Sequence, residues 1–270
     1  MSRIEQTFAA LKRDRRTGLI PFITCGDPSL EAAVPVLHAL VAAGADVLEL
    51  GVPFSDPQAD GPVIQRSSER ALERKVGLRK VLEVCREFRR SDTRTPLVLM
   101  GYLNPIEIFG AERFAQAAAD AGVDGVLLVD CPPEEAGPIR QAFSAQGLDL
   151  VMLAAPTSDD QRLSTIAEQA QGYLYYVSFA GVTGAAARLA PIEVAARVAA
   201  LKAKSRLPVA VGFGVRDADS AVAVAEQADA VVIGSALVEK LAEADSPQHA
   251  ASIAAQFLAP IRQALDSSTQ

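Results

Sequence analysis

Two carboxylates stand where an enzyme could use them. Glu49 interrupts the apolar run Val47–Gly51 (VLELG), and Asp60 follows in the loop PFSDPQADGP, Pro53–Pro62. A carboxylate in an apolar strand is costly to bury unless it has a partner or a task. Two carboxylates in different surroundings can divide acid and base work near neutral pH. Glu49 therefore reads as a general acid or base, or as a structural carboxylate bonded to backbone or to a tyrosine. Asp60 reads as a functional group, a solvated loop residue, or a helix N-cap before Gly61 and Pro62. Asp56 precedes Pro57 and suits a turn. Tyr102 and Tyr175 read as packing residues, with tyrosine a possible helper to carboxylate chemistry.

Other chemistries find no residues. The two histidines, His38 and His249, fall in helical segments, so neither a histidine metal site nor a Ser-His-Asp triad can be assembled at strand ends. Lys12, Lys75, Lys80, Lys202, Lys204 and Lys240 lie on helices or loops, which disfavours a Schiff base. There is no G-x-x-x-x-G-K-[ST] and no G-x-G-x-x-G after the first strand. A second device is glycine-rich: AGVTGAAA (Ala180–Ala187), VGFGV (Val211–Val215) and IGSALV (Ile233–Val238). Backbone N–H groups at such turns can hold a phosphate without lysine. Any one of these pairs could equally be an ordinary tight turn.

The elements that position these groups alternate. Short apolar runs lie at Leu19–Thr24, Val47–Gly51, Leu97–Tyr102, Gly125–Val129, Asp149–Ala154, Leu174–Ser178, Val209–Gly212 and Ala230–Gly234. They are continuous rather than alternating, as in strands covered on both faces of a parallel sheet. Helical patterns separate them: Ser29–Ala43, Leu78–Arg90, Glu112–Ala121, Glu134–Gln146, Asp159–Gln169, Ile192–Lys204 and Asp217–Gln227. Pro35 should kink or shorten the first of these. Eight β–α units predict one α/β domain over residues 1–270, a (β/α)8 barrel. An open doubly wound sheet is the alternative. An extra N-terminal helix and a helix inserted after strand 2 complete the pattern, with an unstructured SSTQ tail.

In such a barrel the site lies at the strand C-termini, with a phosphate held after strands seven and eight. Those ends carry Phe22, Thr24, Glu49, Met100, Tyr102, Leu127, Asp130, Leu153, Tyr175, Gly212, Gly214, Gly234 and Ser235. The set is aromatic and aliphatic with few charges, which suits a flat apolar ligand body held by a few polar groups.

Composition agrees with a compact soluble enzyme. The chain has 270 residues, 50% hydrophobic and 22% charged, with net charge −7. Nothing in it attracts nucleic acid or an anionic membrane. Three widely spaced cysteines, Cys25, Cys85 and Cys131, read as reduced thiols of a cytoplasmic protein. The N-terminus lacks the apolar core of a signal peptide, and no window approaches the roughly 20 apolar residues that span a bilayer.

Taken together, LELGVPFSDPQADGP, PFITCGDP (Pro21–Pro28), MGYLNPI (Met100–Ile106), AGVTG (Ala180–Gly184), GFGV and IGSA closely resemble the tryptophan synthase α subunit family, in order along the chain. The resemblance implies a (β/α)8 barrel that cleaves indole-3-glycerol phosphate to indole and glyceraldehyde 3-phosphate, with no metal. It implies that Glu49 shuttles the proton, Asp60 accepts the indole N–H, and Tyr175 supports the carboxylate geometry. Phe22, Met100, Tyr102, Leu127, Leu153, Thr183, Phe213 and Ile233 would line the indole pocket. Gly184, Gly212, Gly214, Gly234 and Ser235 would bind phosphate. The implied assembly is α2β2, with Asp56, Pro57 and Pro132 facing a β subunit that holds the pyridoxal phosphate; this chain would carry no cofactor. The loop Phe54–Gly61 and the segment Ala180–Ala187 would close over substrate. Phe179 and Gln58 depart from the family pattern, which has Arg and Leu there. A stand-alone lyase, another phosphate-barrel enzyme, or a non-catalytic barrel that activates the β subunit are the other readings.

Overall fold

The computed structural model describes residues 1–177, 191–212 and 214–268, without the side chains of 191–193. The chain opens with α1 (Arg3–Arg13), β1 (Gly18–Thr24), α2 (Leu30–Ala42), β2 (Leu48–Gly51), α3 (Pro62–Glu73) and α4 (Leu78–Arg89). It continues with β3 (Leu97–Gly101), α5 (Leu103–Phe109), α6 (Ala111–Asp120), β4 (Gly125–Leu128), α7 (Ala136–Ser144) and β5 (Asp149–Ala154). Next come α8 (Asp160–Gln169), β6 (Leu174–Val177), α9 (Pro191–Lys204), β7 (Val209–Gly212) and α10 (Ala218–Ala225). Last are β8 (Ala230–Ile233), α11 (Ser235–Leu241) and α12 (Pro247–Ser268). All strands pair in parallel in chain order, and β8 closes on β1. The closed barrel excludes the open sheet.

Strand geometry sends successive side chains to opposite faces. Ile20, Val47, Val98, Leu127, Val151, Tyr175, Ala210 and Val232 form one buried interior cluster. Their neighbours Leu19, Leu48, Leu99, Val126, Leu150, Tyr176, Val211 and Ile233 belong to the layer beneath the helices. Both faces are dry, so the strands read as unbroken apolar runs. Ile4, Phe8 and Leu11 of α1 join the interior cluster, so the N-terminal helix plugs the barrel floor.

The floor rim repeats one device. Asp46, Asp124, Gln171 and Asp229 precede the even-numbered strands. Their side chains accept hydrogen bonds from the N–H groups of Leu19, Leu97, Leu150 and Val209 at the start of the neighbouring odd-numbered strands (2.9, 2.8, 3.2 and 2.8 Å). Buried backbone donors need such partners. Three of these acceptors also pair with cations: Asp46 with Arg262 (3.1 Å), Asp124 with Arg89 (2.6 Å) and Arg3 (2.8 Å), and Asp229 with Lys202 (3.0 Å).

Some expectations change. Pro35 does not shorten α2, which runs through it from Leu30 to Ala42. The missing proline N–H removes one bond, while Ala32, Ala33, Val36, Leu37 and Leu40 are buried along the same helix. The extra helix expected after β2 is present as α3, ahead of α4. Tyr102 begins a short helix, α5, whose first N–H, at Leu103, donates to Asp130 Oδ1 (2.8 Å). Ser267 and Ser268 of the tail lie in α12; residues 269–270 fall outside the described residues.

Asp124→Ala should destabilise the chain by about 2–4 kcal/mol, because it removes the short ion pair of the buried Arg89 guanidinium and leaves the Leu97 N–H without its acceptor. Urea unfolding at pH 7 measures this; a loss below about 1 kcal/mol would show that the rim bond is dispensable.

Candidate active site

Glu49 is the second residue of β2, with Phe22 of β1 and Val98 of β3 as its register partners. Alternation turns it into the barrel, where it is 1% exposed. The Tyr173 hydroxyl donates to its Oε1 (2.6 Å). Its Oε2 has no hydrogen-bond partner among the described residues. Burial pushes the Glu49 carboxyl up to about 7, against the smaller lowering effect of the Tyr173 bond. One oxygen is thus anchored and the other left for chemistry, in a group poised to gain or lose a proton near neutral pH.

Tyr173 is the residue that sequence reasoning missed. It stands just before β6, is fully buried, and packs against Phe8 of α1 (centroids 5.7 Å apart). The expectation had assigned carboxylate support to Tyr175. Tyr175 lines the cavity, and the hydrogen bond to Glu49 comes from Tyr173, two residues earlier and just ahead of β6. The only available signal was the period-2 pattern, which places both tyrosines inside.

Asp60 ends the β2–α3 loop. The N-cap of α3 is Gly61, with Pro62 in the first turn, so Asp60 is not the cap. Tyr102 donates to Asp60 Oδ2 (3.1 Å) and accepts from the Ala59 N–H (3.0 Å). Phe54 stacks on the Tyr102 ring at 4.8 Å, and Gln65 Nε2 donates to the Asp60 carbonyl (2.9 Å). Burial pushes the Asp60 carboxyl up to about 6, with the Tyr102 bond opposing. Tyr102 therefore holds the Asp60 loop, and it also lines a small cavity with Phe22, Asp60, Ile64 and Met100.

One cavity collects Phe22, Glu49, Asp60, Met100, Tyr175, Gly214, Gly234 and Ser235. Ile64, Val232, Arg216 and Glu239 also line it and were not foreseen. Leu127 is fully buried deeper in the barrel, and Leu153 opens into a neighbouring cleft with Val129 and Pro132. Ile233 points outward to the helix layer; its neighbour Val232 takes the inward place. Gly212 lies against Tyr175, whose hydroxyl would collide with any Cβ there, so its smallness makes room for that ring. Thr183, Gly184, Phe213 and Phe179 lie outside the described residues, as does the whole segment Ala180–Ala187. Gly214 has φ +79°, and α11 starts at Ser235 behind a glycine cap that offers no side-chain acceptor. First-turn N–H groups in that situation are open to an anion. Among the described residues no cluster of His, Cys, Asp and Glu could hold a metal ion. Asp56 is exposed, and Pro57 and Pro132 partly so, in loops after β2 and β4.

A sequence model for the tryptophan synthase alpha chain matches residues 8–266. The tryptophan synthase alpha chain of Xylella fastidiosa (strain M12) is 62% identical over 267 residues, 99% of each chain. The crystal structure of tryptophan synthase subunit alpha from Legionella pneumophila superposes with TM-score 0.90 at 44% identity, covering 99% of both chains. A tryptophan synthase complex from Pyrococcus furiosus contributes a chain with TM-score 0.81 and 35% identity, covering 91% of this chain and 98% of that one.

Glu49 gives folding a pH dependence with a definite sign. Its folded-state pKa is raised, so the stability linked to its proton is fully present below about 4.5 and is lost as pH rises through about 7. Glu49→Gln should remove that loss, leaving the variant about 1–3 kcal/mol more stable than the parent chain near pH 8 and nearly equal near pH 4. Urea unfolding of both chains across this range reads it; a constant difference would mean that Glu49 does not titrate in a buried state.

Proposed function

We propose, from the premise that this chain belongs to the tryptophan synthase alpha chain family, that Glu49 and Asp60 carry its chemistry at the mouth of the barrel. The reaction is the cleavage of indole-3-glycerol phosphate to indole and glyceraldehyde 3-phosphate. It breaks the bond between indole C3 and the glycerol side chain. C3 must gain a proton, and the hydroxyl on the adjacent side-chain carbon must lose one.

One observation carries the assignment: Glu49 is buried and raised to about 7, with one oxygen fixed by Tyr173 and the other without a described partner. As the acid, Glu49 gives its proton to C3. As the resulting carboxylate, it takes the hydroxyl proton while the carbonyl of glyceraldehyde 3-phosphate forms and the carbon–carbon bond breaks. The group returns to its starting state, so no other proton donor is consumed. Asp60, as a carboxylate, accepts the indole N–H and stabilises positive charge developing on the ring. Tyr102 aims it, and Phe22 and Met100 supply flat apolar walls. Tyr175 packs beside the carboxylates. Gly214, Gly234 and Ser235 offer the phosphate their backbone N–H groups, with Gly184 as a fourth position carried by resemblance alone.

The chain functions as one barrel domain over residues 1–270, without a cofactor of its own. Its partner is a β subunit holding pyridoxal phosphate, in an α2β2 assembly. Asp56, Pro57 and Pro132 stand on loops at the same end of the barrel as the cavity, which suits transfer of indole to that partner. Among the described residues no helix is long and apolar enough to cross a membrane; the assembly is cytoplasmic.

Glu49→Gln should keep the fold and lose at least about 100-fold in indole release, measured with and without a tryptophan synthase β subunit. Unchanged turnover would remove Glu49 from the mechanism. Gly214→Val, which forces a branched side chain on a residue at φ +79°, should weaken glycerol 3-phosphate binding about tenfold or more by calorimetric titration. Equal affinity in a folded variant would move the phosphate site elsewhere.

A further inference from the structure

Arg216 is a charged group on the cavity wall that the backbone phosphate site does not use. It lies two residues beyond Gly214 and shares the cavity with Gly234, Ser235, Glu49 and Asp60. Its backbone is fixed in place. The Arg216 N–H donates to Ser220 Oγ (2.9 Å), and Asp217 opens α10 with a reciprocal capping box to the same serine. Its side chain is exposed and makes no ion pair with a described residue. By contrast Arg3, Arg16, Arg70, Arg89 and Arg262 are all paired.

The other charged groups lining the cavity are Glu49, Asp60 and Glu239, all carboxylates. With Glu49 starting as the acid, a phosphate dianion still enters a mouth where Asp60 and Glu239 repel it. Neutral N–H donors orient an anion but supply no net charge. A guanidinium stays charged throughout the working pH range and matches phosphate oxygens with two parallel donors. At this wall, among the described residues, Arg216 is the group that can offset Asp60 and Glu239.

We infer that Arg216 is a substrate-binding residue whose guanidinium grips the phosphate of indole-3-glycerol phosphate beside the Gly214 and Gly234–Ser235 backbone. The inference rests on the placement of the phosphate given above. The phosphate stays intact during cleavage, so the grip is equal in ground and transition states and appears in KM rather than in kcat.

The test uses the full chain with a tryptophan synthase β subunit, comparing Arg216→Gln and Arg216→Lys with the parent. Arg216→Gln should raise KM for indole-3-glycerol phosphate, and the inhibition constant of glycerol 3-phosphate, each about tenfold, with kcat within about twofold. Arg216→Lys should recover much of the loss. Inhibition by indole-3-propanol, which has no phosphate, should not change. The parent's KM should also climb more steeply with added salt than that of Arg216→Gln. A KM and glycerol 3-phosphate constant within about twofold of the parent would overturn the inference, as would a loss confined to kcat or one shared by the phosphate-free inhibitor. Glu49→Gln run alongside separates the two claims: turnover retained there defeats the Glu49 assignment, whereas a phosphate-specific KM change at Arg216 speaks only to the grip.

Discussion

Every strand of a closed parallel barrel must serve two apolar layers at once, and that constraint organises this molecule. Alternation assigns each residue to the interior or to the helix layer, with no solvent face between. A polar side chain turned inward enters a packed core and needs a partner there. Glu49 meets that demand through Tyr173, and Tyr173 is itself held by Phe8 of the helix that plugs the floor. The line from α1 through Tyr173 to Glu49 links the N-terminal segment, far from the barrel mouth, to the position of one carboxylate oxygen.

The two ends of the barrel solve different problems with the same residue types. At the floor, Asp46, Asp124 and Asp229 are spent on backbone N–H groups and on Arg or Lys partners, which makes them structural. At the mouth, Glu49 and Asp60 receive one tyrosine hydroxyl each and, among the described residues, form no ion pair. Burial without a compensating charge raises their pKa values toward neutrality, to about 7 and about 6. What separates the carboxylates of the floor from those of the mouth is the company they keep.

Glycine and loop geometry complete the mouth. Gly212 exists for the Tyr175 ring, while Gly214 and Gly234 bring backbone close to the cavity. The Asp60 loop is tied to Tyr102 and Phe54, so the second carboxylate depends on contacts within the β2–α3 connection and β3. Asp56 and Gln58 on that loop are exposed.

Read alone, the sequence determined the barrel, the strand order and the carboxylate pair. Continuous apolar runs separated by capped helices leave few other folds, and Glu49 is conspicuous in its run. With no lysine at a strand end, the sequence left glycine-rich turns as the places where backbone N–H groups could hold an anion. Only the tertiary structure decided which inward residues touch the ligand space and which lie below it. Leu127 and Val232 share the inward phase of their strands, yet of the two only Val232 lines the cavity. It decided between Tyr173 and Tyr175 as the partner of Glu49, since both have the right phase and differ only in height. It made Tyr102 a clasp on Asp60 as well as a cavity wall, and it brought Arg216 to the cavity from a loop that carries no strand signal. Periodicity encodes which face a side chain takes; the distances between groups from different strands and loops exist only once the barrel has closed.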